Sequence, residues 1–254
     1  MKIAIITGAS AGLGWEFARQ LDGSDEIDEL WLVARRQDKL DELAAELKKT
    51  PARTFAIDLT NPEQLRQLFD ALEEGKPTIS WLINNAGFGK VGAFDSFDVD
   101  TNLNMIDLNV RSLTEITQRA LPYCAKGSKI LQIASSAGWL PLTNFAVYAA
   151  TKAYVVNFSN ALSQELKSRG ISVTAVCPGP VRTEFQELAT NSGTTMDTPE
   201  FMWAEAPEVV ARAIADGRKG RLNSIYGATT KTFGVLSGLV PRSLAIWASE
   251  KTYR

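Results

Sequence analysis

A tyrosine and a lysine four residues apart, Tyr148 and Lys152 in VYAATK, follow thirteen residues behind Ser135. On a helix that spacing puts both side chains one turn apart on the same face, so an ammonium can sit beside a phenol. Moving a tyrosine pKa from about 10 to about 7 takes roughly 4 kcal/mol, and one positive charge about 4 Å away supplies a similar amount at an effective dielectric near 20. The pair therefore suits proton transfer to or from an oxygen atom. The chain contains no histidine, which excludes Ser-His-Asp hydrolysis, imidazole bases and histidine-ligated zinc within it. An ordinary amphipathic helix shows the same Tyr-Lys spacing, and Ser136 competes with Ser135 for the same register, so the rest of the chain has to decide.

A second constellation lies at the start. KIAIIT reads as a strand and runs directly into GASAGLG, whose Gly8, Gly12 and Gly14 open a helix. Such a loop lets backbone amides at a helix N-terminus approach a pyrophosphate without obstruction, and Ser10 and Leu13 belong to the same set of expected contacts. The spacing G-x-x-x-G-x-G departs from the common G-x-G-x-x-G fingerprint, and a purely structural turn is the alternative. One strand later, ELWLVA ends on Ala34 where an acid would bind a ribose diol, and Arg35 and Arg36 follow. An arginine there pairs with a 2′-phosphate, and one charge-assisted hydrogen bond of about 1.5–3 kcal/mol corresponds to roughly a ten- to hundredfold preference. The expected cofactor is NADP, with Arg35 the better candidate of the two; a solvated helix entry is the bland reading. Asp58 and Leu59 end a third strand where an adenine would lie, although Asp58 would equally cap the next helix. Asn85, Ala86 and Gly87 close a fourth, where small residues permit close approach to a cofactor or simply a turn.

The elements that must hold these residues follow from periodicity. Apolar, β-branched runs at Lys2 to Ile6, Glu29 to Val33, Arg53 to Ile57, Ile79 to Ile83, Lys129 to Ala134 and Ser172 to Cys177 alternate with helix-period segments, and Leu222 to Tyr226 is a shorter seventh candidate. This alternation predicts βαβ units and a doubly wound α/β fold of about seven parallel strands flanked by helices. Cations before Gly170 mark a helix end there. At 254 residues and 45% hydrophobic composition the chain is expected to form one domain over residues 1–254. Residues 184–206 break the pattern with Gly, Thr and Pro among aromatics and are expected to form a mobile lid loop.

TGASAGLG, NNAG, Asn109 in DLNV, ASSAG, YAATK and PGPVRT, in this order along nearly the whole chain, resemble the short-chain dehydrogenase/reductase family. The resemblance implies a Rossmann-type fold and a catalytic tetrad: Tyr148 as proton donor or acceptor, Lys152 as ribose binder and activator, Ser135 as carbonyl positioner and Asn109 as holder of a water relay. It also implies that Pro178 and Gly179 turn the chain toward a nicotinamide, with Val181 and Thr183 at its carboxamide. Without the resemblance, Pro-Gly-Pro is a tight turn. The implied reaction interconverts a carbonyl compound and a secondary alcohol by hydride transfer, and family members are usually dimers or tetramers, here through segments 101–122 and 145–168.

Phe88, Trp139, Leu140, Phe185, Phe201, Met202 and Trp203 are candidates for an apolar substrate pocket, or else core residues. The apolar segment 230–250 is interrupted by Pro241 and charges, so it is expected to cover the pocket, pack in an oligomer or touch a membrane surface rather than insert. A formal charge of −2 without a basic block speaks against nucleic acid. Cys124 and Cys177 have no metal-ligand spacing and are expected to be reduced and structural. With a strand at residue 2 the expectation is a soluble, cytoplasmic enzyme. Two alternatives stand beside the carbonyl reductase: a narrower hydroxysteroid or 3-hydroxyacyl dehydrogenase, and a non-catalytic NADP-sensing protein.

Overall fold

A computed structural model describes residues 1–190, 198–238 and 240–252. Its first half runs β1 (Lys2–Thr7), α1 (Gly12–Leu21), β2 (Glu29–Ala34), α2 (Gln37–Glu46), β3 (Ala52–Ala56), α3 (Pro62–Gly75) and β4 (Thr78–Asn84). The second half runs α4 (Val99–Ile106), a π-helical segment at Asp107–Ser112, α5 (Leu113–Ala120), β5 (Cys124–Ile133), α6 (Ala146–Glu165), β6 (Ser172–Val176), α7 (Glu184–Thr190), α8 (Ala206–Arg218), β7 (Asn223–Ser224), α9 (Ala228–Ser237) and α10 (Arg242–Thr252). The strands form one parallel sheet in the order β3-β2-β1-β4-β5-β6-β7.

Because side chains alternate along a strand, both faces of this sheet must be covered. Ile3, Ile5, Val33, Leu82 and Ile130 pack with Leu65, Leu68 and Phe69 of α3, Ile116 of α5 and Leu162 of α6 on one side. Ala4, Ile6, Leu32, Ile83 and Leu131 pack with Phe17 and Leu21 of α1, Leu40 and Leu43 of α2, and Val210 and Ile214 of α8 on the other. The order reverses between β1 and β4, so the crevice beyond their carboxyl ends is where this topology places a ligand.

Helix ends follow local chemistry. The Asn61 side chain accepts from the amides of Glu63 and Gln64 with Pro62 at the first helical position, so Asn61, not Asp58, caps α3. After α6 a 3₁₀ turn at Lys167–Arg169 ends at Gly170 with φ +69°, the glycine stop that was expected there. Strand β5 starts earlier than predicted: its pairing with β4 jumps from Cys124 to Lys129 while β4 advances only from Ile79 to Trp81. Gly127, at φ +94° with open space around it, lies in that bulge.

The expected loop at 184–206 is in part a helix. α7 occupies Glu184–Thr190 and a 3₁₀ turn occupies Glu200–Met202, while residues 191–197 lie outside the described residues. Val181 forms a parallel bridge to Ala204, reinforced by Arg182 N–H to Ala204 O at 3.0 Å and Ala204 N–H to Pro180 O at 3.0 Å. Both ends of the excursion are thus pinned at one neck. The segment 230–250, apart from Leu239, which is outside the described residues, forms most of α9 and α10. The Ser249 hydroxyl accepts from Thr143 N–H at 2.9 Å, which docks α10 beside the sheet's carboxyl end.

Candidate active site

A cavity of about 1320 Å³ opens along the carboxyl ends of the strands and takes its walls from the glycine loop, β2, β4, α6, α7, α9 and α10. Its floor is set by glycine geometry. Gly8 has φ +67°, and a Cβ there would lie 2.8 Å from the Asn85 side chain; one on Gly14 would lie 2.2 Å from Gly8 O. Asn85 closes this packing, donating its amide to Thr7 O at 3.0 Å and Gly8 O at 3.1 Å. Thr7 Oγ1 in turn accepts from Asn85 N–H at 2.9 Å and Ala86 N–H at 3.0 Å. No side chain caps α1 at Ala11, which leaves its first-turn amides available to a phosphate. Gly8, Ser10, Gly12 and Leu13 line the cavity, and so do Asp58, Leu59, Asn85, Ala86 and Gly87. Gly14 stands behind the wall, where it allows the loop to fold.

Ser135, Tyr148 and Lys152 line the same cavity. Lys152 Nζ donates to Ile133 O at 2.7 Å and lies 5.6 Å from the centre of the Tyr148 ring. Burial pulls the lysine pKa down to about 8. Burial pushes the neighbouring Cys177 thiol up to about 12, so that neighbour is neutral and Lys152 stands as a buried cation at pH 7. Tyr148 is buried between Phe145, stacked at 4.4 Å, and Phe185 at 5.5 Å. Ser135 Oγ accepts from Ala137 N–H at 3.1 Å and starts a 3₁₀ turn packed on α6. Gly138 makes that approach possible: a Cβ there would meet the Lys152 backbone at 2.6 Å.

Asn109 is buried and does not wall the cavity. Its Oδ1 accepts from Phe88 N–H at 3.1 Å, and its Nδ2 donates to Phe88 O at 2.9 Å and Thr151 Oγ1 at 3.1 Å. Thr151 Oγ1 donates to Tyr148 O at 2.8 Å. Both amide atoms are therefore engaged in fastening the β4 end to the turn that carries Tyr148. Gly87 is the matching contact, since a Cβ on it would lie 2.8 Å from Asn109 Oδ1. Thr151 escaped the sequence reading, although its place three residues after Tyr148 in YAATK is the spacing of a back-bonding threonine.

The cation cluster is arranged differently from expectation. Arg35 and Arg36 both reach the cavity, but Arg36 is the one built into the glycine loop: Nη2 donates to Ser10 O at 3.2 Å and Nε to Ser10 Oγ at 3.4 Å. Nη2 also pairs with Glu184 Oε2 at 2.9 Å. Asp58 Oδ1 is used locally, accepting from Thr60 N–H at 2.9 Å and Thr60 Oγ1 at 2.7 Å. Pro178, Gly179, Val181 and Thr183 line the cavity where the resemblance places them.

Much of the remaining lining is apolar. Phe88, Leu140, Phe185 and Met202 line it as expected, joined by Leu142, Phe145, Phe233, Val240 and Leu244. Trp139, Phe201 and Trp203 do not: Trp139 packs on Phe233 at 6.0 Å, Phe201 is 73% exposed, and Trp203 stacks under Arg182 at 5.3 Å. Phe233 and Leu244 come from α9 and α10, whose role the sequence left open between three alternatives.

Sheet order, glycine cradle and the Ser-Tyr-Lys group together define a dinucleotide-binding oxidoreductase of the Rossmann type. The short chain dehydrogenase family matches residues 2–192. An uncharacterised oxidoreductase of Staphylococcus epidermidis is 33% identical over 188 residues, covering 73% of this chain and 80% of that protein. A short-chain dehydrogenase from Sphingobium yanoikuyae, solved in complex with NADPH, has 31% identity and a TM-score of 0.81 over 94% of this chain and 93% of that one. The bulky-bulky ketone specific alcohol dehydrogenase from Comamonas testosteroni has 28% identity and a TM-score of 0.76, with coverage of 94% and 93%. The chain belongs to the short-chain dehydrogenase/reductase family. Among the described residues no helix is long and apolar enough to cross a membrane.

Proposed function

We propose that this protein is an NADP-dependent carbonyl reductase or alcohol dehydrogenase acting on a bulky apolar ketone or secondary alcohol. The observation that carries the reading is one cavity lined by the glycine loop, the Asn85–Gly87 strand end, buried Lys152 and Tyr148, with Tyr148 packed on the apolar lining residues Phe145 and Phe185. The dinucleotide would be held by the glycine-loop amides, Asp58 and Leu59, the Asn85–Gly87 strand end and the residues from Pro178 to Thr183, and when bound supplies or accepts the hydride. Ser10 and Arg36 offer a hydroxyl and a guanidinium to a 2′-phosphate, with Arg35 beside them. The NADPH in the Sphingobium relative's complex supports the same cofactor.

In the reducing direction Ser135 and Tyr148 hydrogen-bond the carbonyl oxygen as it becomes negative, and Tyr148 protonates it. Lys152 keeps positive charge beside the phenol so that the resulting phenolate is stabilised, and in the oxidising direction the same charge readies Tyr148 to take the alcohol proton. Phe145, stacked on the ring, and Phe185, tilted against it, shield it from water. Asn109 and Thr151 act by positioning the Tyr148 turn. The apolar lining and the bulky-ketone relative favour a large hydrophobic substrate; hydroxysteroids and 3-hydroxyacyl thioesters belong to the same chemical range. We further place the protein in a homodimer or homotetramer joined through α4–α5 and α6.

The test is oxidation of NADPH and NADH by the purified protein against ketones, aldehydes, steroids and 3-oxoacyl thioesters. NADPH-dependent turnover that falls about 10²–10⁴-fold in Tyr148→Phe is the expected result. Turnover near wild type in that variant overturns the mechanism, and tight NADPH binding with no turnover on any class favours the sensor reading.

A further inference from the structure

We infer that Glu184 is a cofactor-discriminating residue: it occupies on Arg36 the Nη2 position that a 2′-phosphate seated beside Ser10 would take, so that NADP, and not NAD, releases α7 from the glycine loop. The inference rests on the NADP reading above. Of the two edges by which a guanidinium takes an oxyanion in bidentate fashion, the one that Arg36 turns to the glycine loop runs from Nε to Nη2. Here Nε faces Ser10 Oγ at 3.4 Å, while Nη2 is shared by Ser10 O at 3.2 Å, Ser10 Oγ at 3.3 Å and Glu184 Oε2 at 2.9 Å. A serine hydroxyl can turn and donate to an arriving phosphate. A carboxylate only accepts and carries the same sign of charge, so Glu184 is the member of the cluster that the phosphate expels.

The consequence reaches the reacting atoms through one peptide unit. Glu184 begins α7, and the next residue, Phe185, packs against Tyr148 at 5.5 Å. Thr183, on the other side, lies where a Cβ on Gly12 would be 3.2 Å away. Farther along, Lys90 Nζ donates to Leu188 O at 2.6 Å and Val91 N–H to Ala189 O at 3.0 Å, so α7 keeps its grip on the substrate side when the Arg36 contact is lost. Expulsion of Glu184 therefore pivots the start of α7 rather than detaching it. NAD, with a ribose hydroxyl at that point, leaves the Arg36–Glu184 pair closed.

The experiment is titration of NADPH and NADH by isothermal calorimetry into wild type, Glu184→Gln, Arg36→Met and the double variant, with amide hydrogen exchange of residues 184–190. Both side chains are close to half exposed, so neither change threatens the fold. In Glu184→Gln, NADPH is expected to bind about two- to fivefold more tightly at low salt with NADH unchanged. The gain disappears in the Arg36→Met background, and NADPH but not NADH speeds exchange at 184–190 in wild type. Equal effects on both cofactors, or none, while Arg36→Met still weakens NADPH, overturn the role of Glu184 and leave the NADP site standing. An unchanged NADPH to NADH ratio in Arg36→Met overturns the role of Arg36 and with it that of Glu184, and wild type binding NADH as tightly as NADPH overturns the NADP reading itself.

Discussion

Lys152 carries an energetic cost that its chemistry explains. The folded chain lowers its pKa to about 8 by burial, whereas a lysine in the unfolded chain titrates near 10.4. Between those values the unfolded state binds more protons, so stability rises with pH across the window, and below about pH 8 the full cost, on the order of 3 kcal/mol, is present. Lys152→Met is accordingly expected to be more stable than wild type at pH 7 by about 1–3 kcal/mol and to lose turnover; urea unfolding of both proteins at pH 7 and pH 10 checks this through a difference that shrinks at the higher pH. A variant less stable at pH 7 would show that the hydrogen bond to Ile133 outweighs desolvation. The Tyr-Lys spacing was legible in the sequence because a helix converts an interval of four into a shared face. Burial was not, since it depends on β5, on the turn after Ser135 and on Phe145 meeting around the pair. The choice between Arg35 and Arg36 was likewise hidden: adjacent residues leave a strand end in different directions, and only the backbone between β2 and α2 aims Arg36 at Ser10.

At the level of elements, two glycines separate packing from conformation. Gly14→Ala puts a methyl 2.2 Å from a backbone carbonyl in the tightest part of the cradle, and a loss of more than 3 kcal/mol together with cofactor binding is expected. Gly127→Ala meets nothing within 4 Å and pays only for its positive φ, roughly 1–2 kcal/mol; thermal unfolding of the two variants, with NADPH titration, distinguishes them. The π-helical segment supplies the third case. Asn109→Leu would leave the Phe88 N–H and C=O without their side-chain partner, for a cost of about 2–5 kcal/mol and a fall in turnover that Asn109→Asp only partly restores, because a carboxylate cannot donate to Phe88 O. Strands were legible from their β-branched runs, and their limits lie within a residue or so of expectation for β1, β2 and β6. β5 was cut short because KGS looks like a turn, which it is, inside a bulge. α7 was taken as loop because the Gly, Thr and Pro residues that follow drew attention from the Phe185, Leu188 and Ala189 spacing within it.

For the molecule as a whole, the sheet order and the glycine-walled part of the cavity follow from local motifs, whereas its apolar lining is assembled from α7, α9, α10 and the segments around Phe88, Leu140 to Phe145 and Met202 and has no motif of its own. That is why the fold was readable from the sequence while only part of the expected pocket lining was. The exposed apolar stripe of α4, Val99, Leu103 and Ile106, with Tyr154 of α6 also exposed, leads to a further expectation: sedimentation at micromolar concentration gives a dimer or tetramer, and Leu103→Asp shifts it toward monomer with the fold intact. A wild-type monomer would remove these helices from that role. The bridge between Val181 and Ala204 has a separate implication. Because the chain departs and returns at one point, the neck fixes where the excursion starts and ends, and the closure entropy of such a loop grows by only about 0.6 kcal/mol for each doubling of its length. Descendants of this protein can therefore lengthen or shorten that excursion while its neck and the contacts of α7 stay in place, which makes it the stretch through which selection can most cheaply alter what the cavity accepts.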